Sequence, residues 1–116
     1  MTLAKVCHLS SVHQTKDVRI FHKECVSLAQ AGFDVSLVVP GEIDHIDKNV
    51  SIVVVPTPRS RRERILVTTR QVLRRAIEVD ADLYHFHDPE LFPVGLWLKA
   101  KGKKVIFDSH EDLPRQ

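Results

Sequence analysis

The chain has 116 residues, 43% hydrophobic and 28% charged, the balance of one folded domain with an ordinary core rather than a disordered or fibrous polymer. Its net charge of +2 and its two cysteines supply neither the basic surplus of a nucleic-acid binder nor a disulfide framework. No apolar run approaches the roughly 20 residues of a membrane span, and Lys5 and His8 break the apolar stretch that a signal peptide would need after Met1; a cytoplasmic protein is expected.

Residues 4–9 read as a buried strand containing Cys7, and 10–16 as a polar loop. Thr15 or Asp17 can cap a helix reaching about Ala31, with Val18, Phe21, Cys25, Leu28 and Ala29 on one face and Gly32 placed to end it. Both cysteines therefore read as small core residues kept reduced, not as nucleophiles. Residues 34–39 form a second strand stopped by Pro40-Gly41. Residues 50–55 form a third, rich in β-branched side chains and stopped by Pro56 and Pro58. The link between these two carries no helical pattern and is shorter than an ordinary parallel crossover. The direction of the third strand stays open, and an edge position is expected.

Residues 62–79 carry a strong helical period. Ile65, Leu66, Val72, Leu73, Ala76 and Ile77 fall on one side, opposite Arg64, Arg70, Gln71, Arg74, Arg75 and Glu78. Residues 82–87 and 103–108 are the fourth and fifth strands, and a helix from Glu90 to Lys101 between them is stopped by Gly102.

Strands alternating with helices predict an α/β fold: a Rossmann-like, open, mostly parallel five-stranded sheet with helices on both faces, order 3-2-1-4-5. The switch point then lies between the first and fourth strands, where Ser10 to His13, His87-Asp88 and Ser109 to Glu111 should converge. A fifth parallel strand ordinarily leads into another covering helix, yet Leu113-Pro-Arg-Gln116 stops in the loop. Residues 1–116 are therefore read as one domain, the N-terminal part of a longer protein.

The strand ends carry the chemistry. Leu83-Tyr-His-Phe-His-Asp-Pro-Glu90 and Val105-Ile-Phe-Asp-Ser-His-Glu111 each run from apolar residues into a histidine and an acid. His85, His87 and Asp88, with His110 or Glu111, could ligate a metal. Local helix chemistry explains three residues at once: Asp88 as N-cap, Pro89 in the first position and Glu90 at the positive end, with His85 a hydrogen-bonded core histidine. No metal is therefore expected. His110-Glu111 precedes no clear helix start, so capping explains it less well and a polar ligand explains it better. The first loop lacks the Gly-x-Gly-x-x-Gly of a dinucleotide site, although Lys16 and Arg19 beside a helix N-terminus could meet phosphate. Between Arg59 and Arg75 stand seven arginines and one glutamate, a local +6 that leaves the remaining residues at −4. Such a face is either a solvated helix side or a dock for anionic headgroups. No aromatic residues interleave for RNA stacking, and no nucleic-acid partner is expected.

These motifs resemble the N-terminal domain of bacterial glycosyltransferases of family 4. The likeness rests on the His-x-His-Asp-Pro-Glu strand end and on Gly102-Lys-Lys-Val-Ile-Phe-Asp-Ser-His-Glu-Asp112. It also covers Val6-Cys-His-Leu-Ser-Ser-Val-His13, Asp17-Val-Arg-Ile-Phe-His-Lys-Glu24 and Leu28-Ala-Gln-Ala-Gly-Phe-Asp-Val35, and is weakest between Glu42 and Arg75. The resemblance implies a GT-B enzyme with two Rossmann-like domains facing a cleft. This chain would be the acceptor-side half, inactive without the C-terminal half that holds most of the nucleotide-sugar. It implies retaining, metal-independent transfer to a glycan or lipid-linked acceptor in cell-surface polysaccharide synthesis. By motif match the catalytic residue is His110. His13, Lys16 and Arg19 would face the donor and its phosphates, and His87, Asp88 and Glu111 the acceptor. Where the family often has paired glycines in the first loop, this chain has His13-Gln14-Thr15-Lys16. A place at the inner face of the membrane, reached through the arginine-rich segment, accompanies that reading. The rival readings are a nucleotide-sugar 2-epimerase of GT-B fold and a non-catalytic flavodoxin-like binding domain.

Overall fold

The computed structural model describes residues 4–11, 16–86 and 88–107, with only the backbone described for 16–22. The described residues form one six-stranded sheet: β1 (Lys5–Leu9), β2 (Asp34–Pro40), β3 (His45–Asp47), β4 (Val50–Val55), β5 (Leu83–Phe86) and β6 (Lys104–Phe107). The spatial order is β3-β4-β2-β1-β5-β6, and every pairing is parallel except β3 with β4. The architecture is the expected Rossmann-like one, with six strands instead of five.

The added strand explains how a short link can join parallel neighbours. After Pro40 the chain runs back along the outer side as β3, then reverses through Lys48 and Asn49, both at positive φ (52° and 69°). Two successive left-handed residues are the geometry of a tight hairpin turn matched to strand twist. Asp47 consequently faces Val50 in an antiparallel ladder, while β4 pairs in parallel with β2. The edge position expected for residues 50–55 belongs to β3. The turn was not legible because neither residue is glycine.

Side chains alternate across the strands and build a core on each face. Cys7, Leu9, Val38, Val55, Tyr84 and Phe86 pack with Val72, Ala76, Val94 and Leu98, which belong to α3 (Thr69–Val79) and α4 (Phe92–Ala100). Val35, Leu37, Val39, Val50 and Ile52 pack on the other face with Cys25, Val26, Leu28 and Ala29 of α1 (Lys16–Gln30). The helix stops expected at Gly32 and Gly102 are both present, with φ of 102° and 90°. The amide of Phe33 donates to Leu28 and that of Gly32 to Ala29, and Lys103 and Gly102 repeat the pattern on Leu98 and Lys99. Each pair closes a helix end whose last carbonyls would otherwise lack donors.

The arginine-rich helix departs from its expected phase. It starts as a short α2 (Arg61–Glu63) capped by the Ser60 side chain, widens into a π-helical turn (Arg64–Thr68) and continues as α3. Thr68, Val72, Ala76 and Val79 form the buried stripe. The wider turn inserts an extra residue and throws the preceding side chains out of register with that stripe. Ile65 and Leu66, expected on the core side, are 43% and 50% exposed, and Ile77, at the stripe's margin, is 46% exposed.

A candidate active site at the strand ends

β1 and β5 are in register, with Val6 opposite Leu83, His8 opposite His85 and Leu9 opposite Phe86, so they deliver their following residues to the same level. β1 is also where the sheet order reverses, with β2 on one side and β5 on the other. That is the switch point of an open α/β sheet, where a crevice forms beyond the carboxyl ends.

At this rim Asp88, only 7% exposed, lies against Ser10 and Ser11, both fully buried. Its Oδ2 accepts from the Ser11 amide (2.8 Å), from Ser10 Oγ (3.0 Å) and, at longer range, from Ser11 Oγ (3.4 Å). Ser10 is further anchored by its own amide, which donates to the Val38 carbonyl at 2.9 Å. Asp88 does stand at the start of the turn Pro89–Leu91, but its side chain makes no capping hydrogen bond there. The capping expectation is corrected: a buried carboxylate is best stabilised by several donors at once, and the Ser11 amide and the Ser10 hydroxyl hold it, the Ser11 hydroxyl giving its one proton chiefly to Glu90. Pro89 occupies the expected first position.

Glu90 extends the network outward. Its Oε2 accepts from Ser11 Oγ at 2.7 Å and pairs with Arg64 Nε at 2.8 Å, both side chains being largely shielded. The rim of the crevice is thus tied to the π-helical turn. Sequence reading missed this link because Glu90 and Arg64 each have a sufficient local explanation, as a helix-start acid and a surface cation.

One strand position below the rim, on the α1 face, His8 and His85 meet edge to face with ring centroids 4.8 Å apart. Glu24 and the two imidazoles bring ligand-type atoms within 4.8 Å of one another, the group among the described residues that comes nearest to a metal-ligand set. Cys25 Sγ lies 3.1 Å from His8 Nδ1, and burial, with a further contribution from Glu24, pushes the Cys25 thiol up to about 12. At this distance the thiol and the imidazole nitrogen are hydrogen-bonding partners, in the direction that the His8 tautomer sets. The contact of Cys25 with His8 ties α1 to the sheet beside this group. Cys7 is likewise buried and its thiol raised still further, first by desolvation, in keeping with two inert core cysteines.

Of the site residues expected from sequence, Asp88 is placed at the switch point with Ser10 and Ser11. Lys16 and Arg19 lie in the first turns of α1, with their side chains outside the described set. His13, His87, His110 and Glu111 lie outside the described residues, although β6, which leads to His110, is parallel and adjacent to β5.

The family model described as Glycosyltransferase Family 4 matches residues 18–116. The chain belongs to glycosyltransferase family 4. No curated protein and no solved structure matches it. The match runs from α1 to the last residue and identifies a family 4 N-terminal-type domain, whose doubly covered parallel sheet is one Rossmann-like half of the GT-B arrangement. In this glycosyltransferase domain the serine–aspartate junction lies just beyond the carboxyl ends of β1 and β5. Among the described residues, no helix is long and apolar enough to cross a membrane.

Proposed function

We propose that this domain is the acceptor-side half of a retaining hexosyltransferase that moves a sugar from a nucleotide-sugar to a glycan or lipid-linked acceptor, in the synthesis of a cell-surface polysaccharide in the cytoplasm. The observation that carries the reading is the buried junction of Asp88 with Ser10 and Ser11 at the switch point of a family 4 domain. It fixes Ser10 and Ser11, where the chain leaves β1, at the sheet edge where a substrate must be oriented. Transfer through a cation-like transition state needs oriented hydrogen bonds to sugar hydroxyls and stabilisation of a departing diphosphate.

In this reading His110, just beyond β6, orients the donor sugar. His13, Lys16 and Arg19 meet the diphosphate near the N-terminus of α1, where backbone amides and the helix dipole favour anions. The positive charges of Lys16 and Arg19 make transfer independent of a metal. His87, Asp88 and Glu111 line the acceptor side, with Asp88 also holding the serine loop. The domain alone supplies half a cleft and is expected to show no turnover.

The test uses the polypeptide that carries both halves of the cleft. His110→Ala should lower transfer at least about tenfold, roughly 1.4 kcal/mol of barrier, in a coupled assay of nucleoside diphosphate release. Unchanged kinetics would remove His110 from the site. Donor incubated without acceptor should be recovered unaltered; its epimerisation would replace the transferase reading with that of a 2-epimerase.

A further inference from the structure

The arginine-rich segment has a surface that transfer chemistry does not use. Arg64 is committed to Glu90, Arg75 to Asp44 and Glu78, and Arg59 to Glu63. Among the described residues Arg61, Arg62, Arg70 and Arg74 have no acidic partner, and all four are exposed. Arg62, Leu66, Arg70 and Arg74 recur every fourth residue and so run along one side of the helix. Two shallow grooves follow that side, one lined by Arg59, Ser60, Arg62, Glu63, Leu66 and Val67, the other by Val67, Arg70, Gln71 and Arg74.

Within this cationic stripe the π-helical turn presents three consecutive apolar side chains, Ile65, Leu66 and Val67, exposed by 43%, 50% and 43%. A merely solvated helix face would carry polar residues there. Cations flanking a small exposed apolar knob match the layered chemistry of an anionic bilayer, with phosphates at the surface and acyl chains beneath. The charge distribution favours the same orientation. The segment carries +6 and the rest of the chain −4, so a negative surface attracts this segment and repels the remainder.

We propose that this face docks on anionic phospholipid bilayers, with Leu66 and Val67 entering the headgroup region and Arg62, Arg70 and Arg74 pairing with lipid phosphates. Because Arg64 in the same turn is joined through Glu90 to Ser11, docking holds the strand-end crevice in a fixed attitude beside the bilayer. The proposal does not depend on the transfer reaction and can fail or stand without it.

The experiment is flotation of the 116-residue chain with vesicles, either of phosphatidylcholine alone or with about one third phosphatidylglycerol. Wild type should float with the anionic vesicles, stay behind with the neutral ones, and be released by high salt. Leu66→Glu with Val67→Glu should weaken partitioning about tenfold, and Arg62→Gln with Arg70→Gln and Arg74→Gln should do so by at least as much. All five positions are exposed, and circular dichroism checks that the variants fold. Absence of flotation with anionic vesicles overturns the proposal. So does undiminished flotation of the Leu66/Val67 variant, which would leave only an unspecific attraction to polyanions, and so does retention by RNA without retention by lipid.

Discussion

Asp88 shows how a residue's neighbours in sequence can mislead about its partners in space. An aspartate before a proline and a glutamate is a strong local sign of a helix start, yet its carboxylate binds Ser11, 77 positions earlier. Asp88→Ala would strand the buried Ser11 amide and should cost about 2 kcal/mol, read as a lowered urea midpoint. Asp88→Asn keeps an acceptor oxygen and should cost less. Equal losses for the two would mean that side-chain packing, not acceptance of the amide, is what Asp88 supplies. The same scale explains the cysteines. Their burial was legible from the apolar face that Cys25 shares with Leu28 and Ala29, whereas the contact of Cys25 with His8 was not, because helix and strand spacing carry no mutual register.

At the scale of elements, glycines and prolines announced themselves and phase did not. Gly32 and Gly102 end their helices at the expected places because only a residue without Cβ takes their positive φ at little cost. Gly95 was not singled out, since nothing local distinguishes it. In the structure a Cβ there would stand 2.5 Å from Cε1 and Cζ of Phe86, so α4 lies on β5 at a distance only glycine permits. Gly95→Ala should destabilise by about 1–3 kcal/mol through overpacking, seen as a lower melting temperature. An unchanged or raised melting temperature would mean that the Phe86 ring can move aside freely. The π-helical turn escaped for a related reason: apolar spacing reports a regular period, and one inserted residue shifts the phase without altering composition.

For the whole molecule, ion pairs between distant elements close the fold. Asp44, in the link before β3, accepts the Val54 amide at 2.9 Å and pairs with Arg75 of α3. These contacts, the Val54 amide first and then the Arg75 guanidinium, hold its carboxyl below the ordinary value of 3.8. Asp80, which ends α3, is lowered in the same direction by Lys103, 2.6 Å away at the approach to β6. In each case the folded protein holds its proton less tightly than the unfolded chain. The stabilisation is therefore complete above the ordinary carboxyl value and is lost as pH falls below it. Urea midpoints should be flat from neutral pH to about 5 and fall on the acid side of 4, and Asp44→Asn should flatten part of that slope. A slope identical to wild type would remove Asp44 from the pH response. Both pairs are solvent-facing, so each effect should be modest and reduced by salt.

The positions of five of the six strands, the helix stops at Gly32 and Gly102, the doubly wound class and the family were determined by the amino acids alone, since apolar periodicity, turn residues and strand-end motifs are properties of short stretches. Tertiary structure alone decided that β4 runs parallel inside an added edge strand, that Asp88 turns to the serine loop, and that Ile65 and Leu66 face outward. Each of those outcomes is a competition between a local preference and a partner remote in the chain. Only the assembled sheet sets the distances that determine which of the two is stronger.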